Sequence, residues 1–153
     1  MFIVDETKEC TKGSLIYNKK TNEFVSIPNI NSDIIFLVGY INIGFDSETN
    51  EATEIWGYHH DFNWENTKIG IPKIISGALK LEVEVDPGDS IRIRESSIWK
   101  TYFDSQSGWI KFGTDEENTD NIFVEFFTDT VAEIDVQGNL VSLLMKPVID
   151  MTK

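Results

Sequence analysis

The sequence predicts an all-β fold, and three observations lead to it. Isoleucine, valine and threonine together make up 42 of the 153 residues, whereas alanine, leucine and methionine together make up 13. β-Branched side chains suit a pleated, half-buried surface, and the scarce residues are among those that favour helices. Apolar and polar residues alternate along many short runs between turn-forming residues, and no segment of about a dozen residues shows a helical stripe.

We expect a single all-β domain over residues 1–153, folded as an antiparallel β-sandwich or as a strongly curved, barrel-like sheet. About ten strands in hairpins and meanders fit the spacing of the turns. A chain near this length is long enough to bury a real core. It contains no internal repeat, low-complexity segment or linker between domains.

Two hairpins are predicted in the first half of the chain. The first joins 14–18 to 23–27 through the turn KKTN. The second runs from 34 to 45, turns through DSETN and returns over 51–58. The start of its first strand is apolar on both faces, which indicates a central strand that is covered on each side. The predicted pairs are Ile41 with Ile55 and Ile43 with Thr53.

A third hairpin is predicted from the run LKLEVEVDPGDSIRIRE, which begins at Leu79. A loop over Pro87, Gly88 and Asp89 would bring the two alternating halves together, apolar residues on one face and charged residues on the other. Both arginines of the chain would then serve as cross-strand partners of glutamates. The predicted pairs are Val85 with Ile91, Val83 with Ile93, Glu84 with Arg92, and Glu82 with Arg94.

The last third is predicted to form another hairpin, in the run WKTYFDSQSGWIKFG, and then a three-stranded meander. The hairpin would set Trp109 across from Phe103 as an aromatic pair. The meander would use 122–127, 131–136 and 140–146. Its predicted pairs are Phe126 with Ala132, Val124 with Ile134, Val136 with Val141, Ile134 with Leu143, and Ala132 with Met145.

The balance of charge excludes several partners. The chain carries 26 acidic and 13 basic side chains, a formal net charge of −13. Nucleic acids and anionic membranes are bound through clustered lysine and arginine, which this chain lacks. The longest apolar stretch, Ile34 to Tyr40, is too short to span a bilayer. One cysteine and a start without a secretory pattern predict a cytoplasmic protein.

The negative charge is concentrated in the last third of the chain, which has a net charge of −7. In the predicted register Glu125 lies directly opposite Glu133, which is unfavourable within a sheet. A basic protein partner would relieve this repulsion and would be steered toward it. We therefore predict a partner-binding acidic face made of Asp115, Glu116, Glu117, Asp120, Glu125, Glu133 and Asp135.

Two other kinds of site are weaker predictions. His59, His60 and Asp61 offer imidazole and carboxylate groups for a metal or for acid and base catalysis, but no third or fourth metal ligand accompanies them. An aromatic region extends from Trp56 to Trp109 and is either core packing or a platform for a small ligand or carbohydrate. Its rings are those of Trp56, Tyr58, Phe62, Trp64, Trp99, Tyr102, Phe103 and Trp109.

The sequence thus favours a non-enzymatic binding protein without a cofactor. No nucleophile motif or phosphate-binding loop is present. A small, acidic, single-domain chain of this kind fits a bacterial immunity protein that neutralises a cationic toxin. Phe123 and Phe127 fall on the face opposite Phe126, so a second sheet, a loop or another copy of the chain must cover them. A homo-oligomer is therefore one of the predicted outcomes.

Overall fold

The computed structural model describes residues 2–28, 30, 32–70, 73–82 and 85–151. It confirms the predicted all-β sandwich: two seven-stranded sheets pack together, and a two-stranded ribbon accompanies them. The strands in chain order are β1 (Phe2–Asp5), β2 (Ser14–Asn18), β3 (Glu23–Ile27), β4 (Ile34–Val38), β5 (Ile41–Phe45), β6 (Ala52–Tyr58), β7 (Glu65–Asn66), β8 (Ile74–Ser76), β9 (Ala78–Leu81), β10 (Ser90–Arg92), β11 (Lys100–Phe103), β12 (Ile110–Gly113), β13 (Ile122–Phe127), β14 (Thr130–Ile134), β15 (Leu140–Met145) and β16 (Val148–Asp150).

The two sheets share one plan. The first sheet has the order β10-β4-β5-β6-β3-β2-β16, and the second has the order β7-β11-β12-β15-β14-β13-β8. In each, five antiparallel strands form the centre, and a short strand pairs in parallel at both edges. The edge strands have two or three residues, which limits the unpaired backbone that the sheets expose. Among the described residues, no helix has the length and apolar content that a membrane span needs.

The hairpins of the first half form, with one added turn. β2 and β3 have the predicted bounds, whereas the long strand predicted over 34–45 is broken into β4 and β5 by Gly39 and Tyr40. Gly39 has φ +63°, the conformation that a two-residue type II′ turn assigns to glycine. Ile43 lies opposite Ile55, two residues from the predicted register. A bulge after Gly44 accounts for one of the two residues, and the turn, which sets Phe45 opposite Ala52, accounts for the other.

The hairpin predicted from Leu79 onward is wrong. β9 pairs antiparallel with β1, whereas β10 adds in parallel to β4 at the edge of the first sheet. Arg92 donates from Nη1 to the carbonyl oxygen of Gly39, and Arg94 begins a 3₁₀ helix, Arg94–Ile98. The alternation fitted a hairpin, but pairing with other strands buries the same apolar faces. Val83 and Glu84, which were assigned to this hairpin, lie outside the described residues.

The meander forms, but β13 and β14 pair two residues away from the predicted register. The turn needs only Thr128 and Asp129, the latter at φ +56°, a conformation that aspartate tolerates. The predicted opposition of Glu125 and Glu133 is therefore wrong. The observed pairs are Val124 with Ala132, Glu125 with Val131, and Phe123 with Glu133.

β14 and β15 are also shifted relative to the prediction. β14 ends at Ile134, because Asp135 leaves the strand and its carboxylate accepts the backbone N–H groups of Gln137 and Asn139, each at 2.9 Å. This shortens the strand and lengthens the loop. The observed pairs are Ala132 with Leu143, Glu133 with Ser142, and Ile134 with Leu140.

The ribbon of β1 and β9 links the two sheets beside the core. Gly77, just before β9, donates its N–H to Glu125 of the second sheet, and Leu81 donates to Asn50 beside the first sheet. Phe2 of the ribbon packs its ring on Phe36 and Phe45. Full burial of such a side chain contributes about 1.5–3 kcal/mol.

Phe127 is covered within the chain. A bulge in β13 brings both Phe126 and Phe127 into the core, at 2% and 1% exposure. The N-terminal segment passes over this point, where Thr11 forms a bridge with Phe127. Phe123 is half-buried on the outer side of the second sheet. The cover predicted for Phe127 is therefore intramolecular.

Close packing of β12 on β15 depends on Gly113. A Cβ at this position would collide with the Cβ of Ser142 and lie 2.8 Å from the carbonyl oxygen of Val141. We expect Gly113→Ala to destabilise the fold by about 1–3 kcal/mol, measured by urea unfolding. Gly70→Ala is the matched control, because nothing lies within 4 Å of its Cβ position. Equal midpoints for the two variants would contradict this account.

Candidate functional site

Four of the seven acidic residues predicted to bind a partner line one cavity, which we call the outer-face cavity. It has a volume of about 670 Å³ and lies on the face of the second sheet that is turned away from the first. Its acidic lining residues are Asp115, Glu116, Glu117 and Glu133. The structure therefore brings together residues of a loop and of a strand that are separated by 16 to 18 positions in the sequence.

Two rows of side chains form the floor of this cavity. Successive residues of a strand point to opposite faces, so the neighbours of core residues face outward. One row runs across β11, β12 and β15 through Tyr102, Lys111 and Leu144. The adjacent row contains Phe123 and Glu133. The floor is thus part apolar and part charged, as small-ligand sites commonly are.

Glu133 is the exceptional residue of the floor, because its side chain is charged in character yet only 2% exposed. Its Oε1 accepts a hydrogen bond from Ser142 Oγ at 2.6 Å, and its Oε2 accepts one from Asn121 Nδ2 at 2.8 Å. In the described part of the chain, no lysine or arginine nitrogen lies within 4.0 Å of it. A buried carboxylate held by neutral donors alone lowers stability relative to a neutral group.

Asn121 adds an unsatisfied hydrogen-bond acceptor to the wall of the cavity. Its Nδ2 is directed to Glu133, so its Oδ1 becomes the free end of the amide, and this buried oxygen has no hydrogen-bond partner. A buried acceptor without a donor costs about 1–3 kcal/mol. Glu133 therefore lacks a cationic partner among the described residues, and Asn121 Oδ1 lacks a donor.

The other predicted acidic residues have different roles. Glu125 accepts the backbone N–H of Asp129 at 2.8 Å, and Asp135 holds the turn after β14. Asp120 is exposed and donates its backbone N–H to Asn118 Oδ1. None of the three is among the residues described as lining the cavity.

Three lysines also reach the outer-face cavity, and sequence reasoning did not select them. Lys111 comes from the floor, whereas Lys68 and Lys73 come from the segment between β7 and β8. The cavity therefore has mixed charge: a buried acidic corner at Glu133, and three lysines elsewhere in its lining. The contribution of Lys68 and Lys73 was hidden in the sequence, because they lie more than forty positions before the acidic loop.

A second cavity of about 440 Å³ lies where one end of the first sheet meets the second, and we call it the aromatic cavity. The β4–β5 turn, the chain after β6, the 3₁₀ helix and strands β11 and β12 all contribute to it. Its lining residues are Gly39, Tyr40, His59, His60, Phe62, Asn63, Trp64, Arg92, Ser96, Ser97, Trp99, Lys100, Thr101 and Phe112.

His59 forms the inner wall of the aromatic cavity and joins the two sheets. Its Nε2 lies 2.9 Å from Thr101 Oγ1 in β11, and its carbonyl accepts the hydroxyl of Tyr17 in β2. Its ring lies between Phe24 and Phe112, with centroids at 6.0 and 4.8 Å. Burial lowers the pKa of His59 to about 4, and the charge of neighbouring His60 acts in the same direction. The imidazole is therefore neutral at pH 7.

The three residues proposed for metal or acid–base chemistry are directed to different partners. His60 Nδ1 contacts the carbonyl of Phe62 at 3.0 Å, and Asp61 accepts Lys19 Nζ at 2.6 Å. This hydrogen bond to Lys19 holds the pKa of Asp61 below its usual value. Within the described ranges, no three His, Cys, Asp or Glu side chains are grouped as a metal site would require.

The predicted aromatic region divides among several environments. Phe62, Trp64 and Trp99 line the aromatic cavity, whereas Trp56 lies in β6 opposite Val25 and Asn42. Tyr102 lines the outer-face cavity, and Tyr58 contacts Tyr40 edge to face. The predicted pair of Trp109 and Phe103 is wrong: Phe103 lies opposite Ile110 and packs on Trp64, because the turn begins at Asp104.

Tyr40 and Arg92 are cavity residues that the sequence reasoning missed. Gly39 before Tyr40 marked a turn, but the β4–β5 break was not recognised. Arg92 was assigned to a hairpin partner instead. Comparison with known proteins adds no assignment: no protein-family model matches the chain, and no curated protein matches it at a significant level.

Replacing Glu133 by its neutral isostere tests the buried carboxylate. We expect Glu133→Gln to stabilise the fold by about 1 kcal/mol, because it removes an uncompensated buried charge. The introduced amide can also donate to Asn121 Oδ1 once the Asn121 amide turns over. Urea unfolding at pH 7 measures the difference. Glu133→Ala, which removes both acceptors and leaves a void, should instead lose about 2 kcal/mol; equal losses in both variants would contradict the account.

The buried His59 makes stability depend on pH. The pKa falls from 6.5 to about 4 on folding, so the contribution of neutral His59 is complete above pH 6.5 and is lost as pH falls toward 4. The expected loss in the free energy of unfolding is about 3 kcal/mol. Aspartates whose pKa is lowered, such as Asp104, lose their contribution to the free energy of unfolding only below the pH range in which His59 loses its own.

Urea unfolding between pH 7 and pH 4 checks this expectation. His59→Phe should unfold more easily at pH 7, because it loses the Thr101 hydrogen bond, but its stability should change much less with pH. His60→Ala is the control and should keep most of the wild-type slope, because burial is the larger cause of the lowered pKa of His59 and the charge of His60 is the smaller one. An unchanged slope in His59→Phe would refute the assignment.

Proposed function

We propose that the protein is a non-enzymatic binding protein that receives a basic group of a protein partner in the outer-face cavity. An arginine or lysine side chain of the partner would enter the cavity and approach Glu133. Glu133 carries this proposal, because it is a buried carboxylate that faces a cavity and has only neutral hydrogen-bond donors. A cation supplied by a partner would compensate its charge in a region of low dielectric.

The rim of the cavity, formed by Asp115, Glu116 and Glu117, also favours a positively charged partner. These three residues are exposed and line the cavity. They lie in the same loop as Asn121, whose side chain donates to Glu133. Exposed charges of one sign raise the rate at which an oppositely charged partner arrives, and salt weakens this effect. The rim would therefore steer the partner, and Glu133 would select the group that enters.

The mixed charge of the lining restricts the chemical class of the partner further. Lys68, Lys73 and Lys111 are unfavourable to a partner that carries only positive charge. A basic side chain followed by an acidic or neutral group would satisfy both sides of the cavity. An arginine suits the acidic corner best, because its planar guanidinium offers several donors, enough for Glu133 and for Asn121 Oδ1 together.

A bacterial immunity or antitoxin protein that covers a cationic toxin has this physical profile, and we propose that class with a cytoplasmic location. Small size, strong acidity and a single cysteine support it. The enzyme alternative has less support, since His59 is bonded to Thr101 and Asp61 is bonded to Lys19. These side chains do not converge on one reacting position.

Calorimetric titration with a blocked Gly-Arg-Gly peptide tests the proposal. We expect weak binding, at least about tenfold tighter than that of blocked Gly-Glu-Gly, because the guanidinium pairs with Glu133. Glu133→Gln should reduce the affinity by about tenfold or more although its fold is intact. Neutralising Asp115, Glu116 and Glu117 together should weaken binding and flatten its salt dependence.

The matched control neutralises Glu6, Glu9 and Glu48, which are equally exposed and do not line the cavity. It changes the net charge by the same amount and should leave the affinity for the arginine peptide almost unchanged. If the control weakens binding as much as the rim variant does, general charge and not the cavity is responsible. Unchanged binding by Glu133→Gln would exclude Glu133 as the receiving group.

A further inference from the structure

The aromatic cavity differs from the rest of the surface in charge. The chain has a net charge of −13, yet no acidic side chain is among the described residues that line this cavity. Two cationic side chains, Arg92 and Lys100, are among them. Because its described lining carries cations and no carboxylates, this cavity favours an anionic ligand. The acidic parts of the surface would repel the same ligand.

The cations of the cavity are available for a ligand. Arg92 is exposed and donates one hydrogen bond, from Nη1 to the carbonyl of Gly39 at 3.2 Å. Among the described residues, no carboxylate oxygen lies within 4.0 Å of its guanidinium. Lys100 lies 3.9 Å from Glu65, but both side chains are more than half exposed, so this pair holds the lysine weakly.

The walls offer flat apolar surfaces at two depths. Trp99 packs edge-on against Phe112 inside the cavity, with ring centroids 5.4 Å apart. Nearer to solvent, Phe62 is 61% exposed and stacks on His60 at 4.1 Å, and Tyr40 is 68% exposed. Large exposed rings around a cavity are unusual on a monomer surface and are typical of binding sites.

The inner wall is built to stay fixed and uncharged. His59 is held by Thr101, and Ser96 Oγ accepts the N–H of Gly39 while donating to the carbonyl of Ile93. These hydrogen bonds join the β4–β5 turn to the 3₁₀ helix, and the segment after β6 to β11. A preformed wall lowers the ordering cost of binding.

We propose that the aromatic cavity binds a small planar anion, an aromatic ring that carries a carboxylate or a phosphate. The ring would lie between Trp64, Trp99 and Phe62, and the anionic group would face Arg92 and Lys100. The volume of about 440 Å³ lies within the usual range for small-ligand sites. This site is separate from the outer-face cavity and does not depend on the function proposed for it.

Tryptophan fluorescence and calorimetry test the proposal, because Trp64 and Trp99 line the cavity. The probes are benzoate with neutral benzyl alcohol, adenosine monophosphate with neutral adenosine, and glucose. We expect at least one anion to bind about tenfold tighter than its neutral counterpart. Benzoate alone would identify an aromatic carboxylate, and adenosine monophosphate alone would identify a nucleotide-like phosphate.

Matched variants separate the cavity from general charge. Arg92→Ala and Lys100→Ala should each weaken binding of the anion by about tenfold, and Phe62→Ala, at an exposed position, by roughly fivefold. Arg94→Ala is the control, since Arg94 is exposed and lies outside the lining; it should bind as the wild type does. Circular dichroism of each variant checks that the fold is retained.

Three results would overturn the proposal. Equal binding of the anionic and the neutral probes would show that the cations take no part. Tighter binding of glucose would make the cavity a sugar site. Absence of binding by every probe up to about 10 mM, which corresponds to less than about 3 kcal/mol of binding free energy, would mean that no planar anion is recognised.

Discussion

The contact that joins the two sheets beside the aromatic cavity is made by His59. Its backbone is bonded to Tyr17 of β2 and to Asn22 in the turn between β2 and β3, and its ring is bonded to Thr101 of the second sheet. Because the ring is buried, it must remain neutral to form these contacts at no cost of buried charge. The aromatic cavity lies beside this connection between the two sheets. A core residue thereby also forms the inner wall of the cavity.

The second sheet is covered on both faces, and this explains where its acidic residues lie. Val131 and Leu144 are buried on the outer face, away from the main core, beneath the segments that enclose the outer-face cavity. Glu133 lies in this second layer, not on an open surface. Its carboxylate is consequently desolvated, so a cation placed beside it would gain more than a cation beside an exposed acid. Of the seven acidic residues predicted to bind a partner, Glu133 is the one that the fold buries.

The two cavities differ in charge within one small domain. The outer-face cavity presents Glu133 beside an unsatisfied Asn121 oxygen, together with three lysines. The aromatic cavity presents Arg92 and Lys100 beside exposed rings, and its described lining residues include no carboxylate. Under the two proposals, the first cavity would receive a donor-rich cation and the second a planar anion. The positions of these side chains follow from which strands become neighbours, since the two cations enter the aromatic cavity from different sheets.

Composition and alternation alone determined that the chain is all-β, because period-two patterns make one face of each strand apolar wherever the strand is placed. They left open whether the strands form a sandwich or a barrel-like sheet, and the tertiary structure decided for the sandwich. They also determined the local hairpins, such as β2 with β3, and the acidic character of the loop that begins at Asp115. Only the tertiary structure decided the registers, because a short turn at Asp129 and the departure of Asp135 from its strand shifted them by about two residues. A shift of two residues keeps the face of a side chain, whereas the bulge in β13 moved Phe127 into the core. The tertiary structure also decided that β9 pairs with β1 and β10 with β4, instead of with each other. Alternation shows which face of a strand is buried, but it does not specify the neighbouring strand. The candidate sites depend on those choices, which is why the sequence indicated some of their residues but not their assembly.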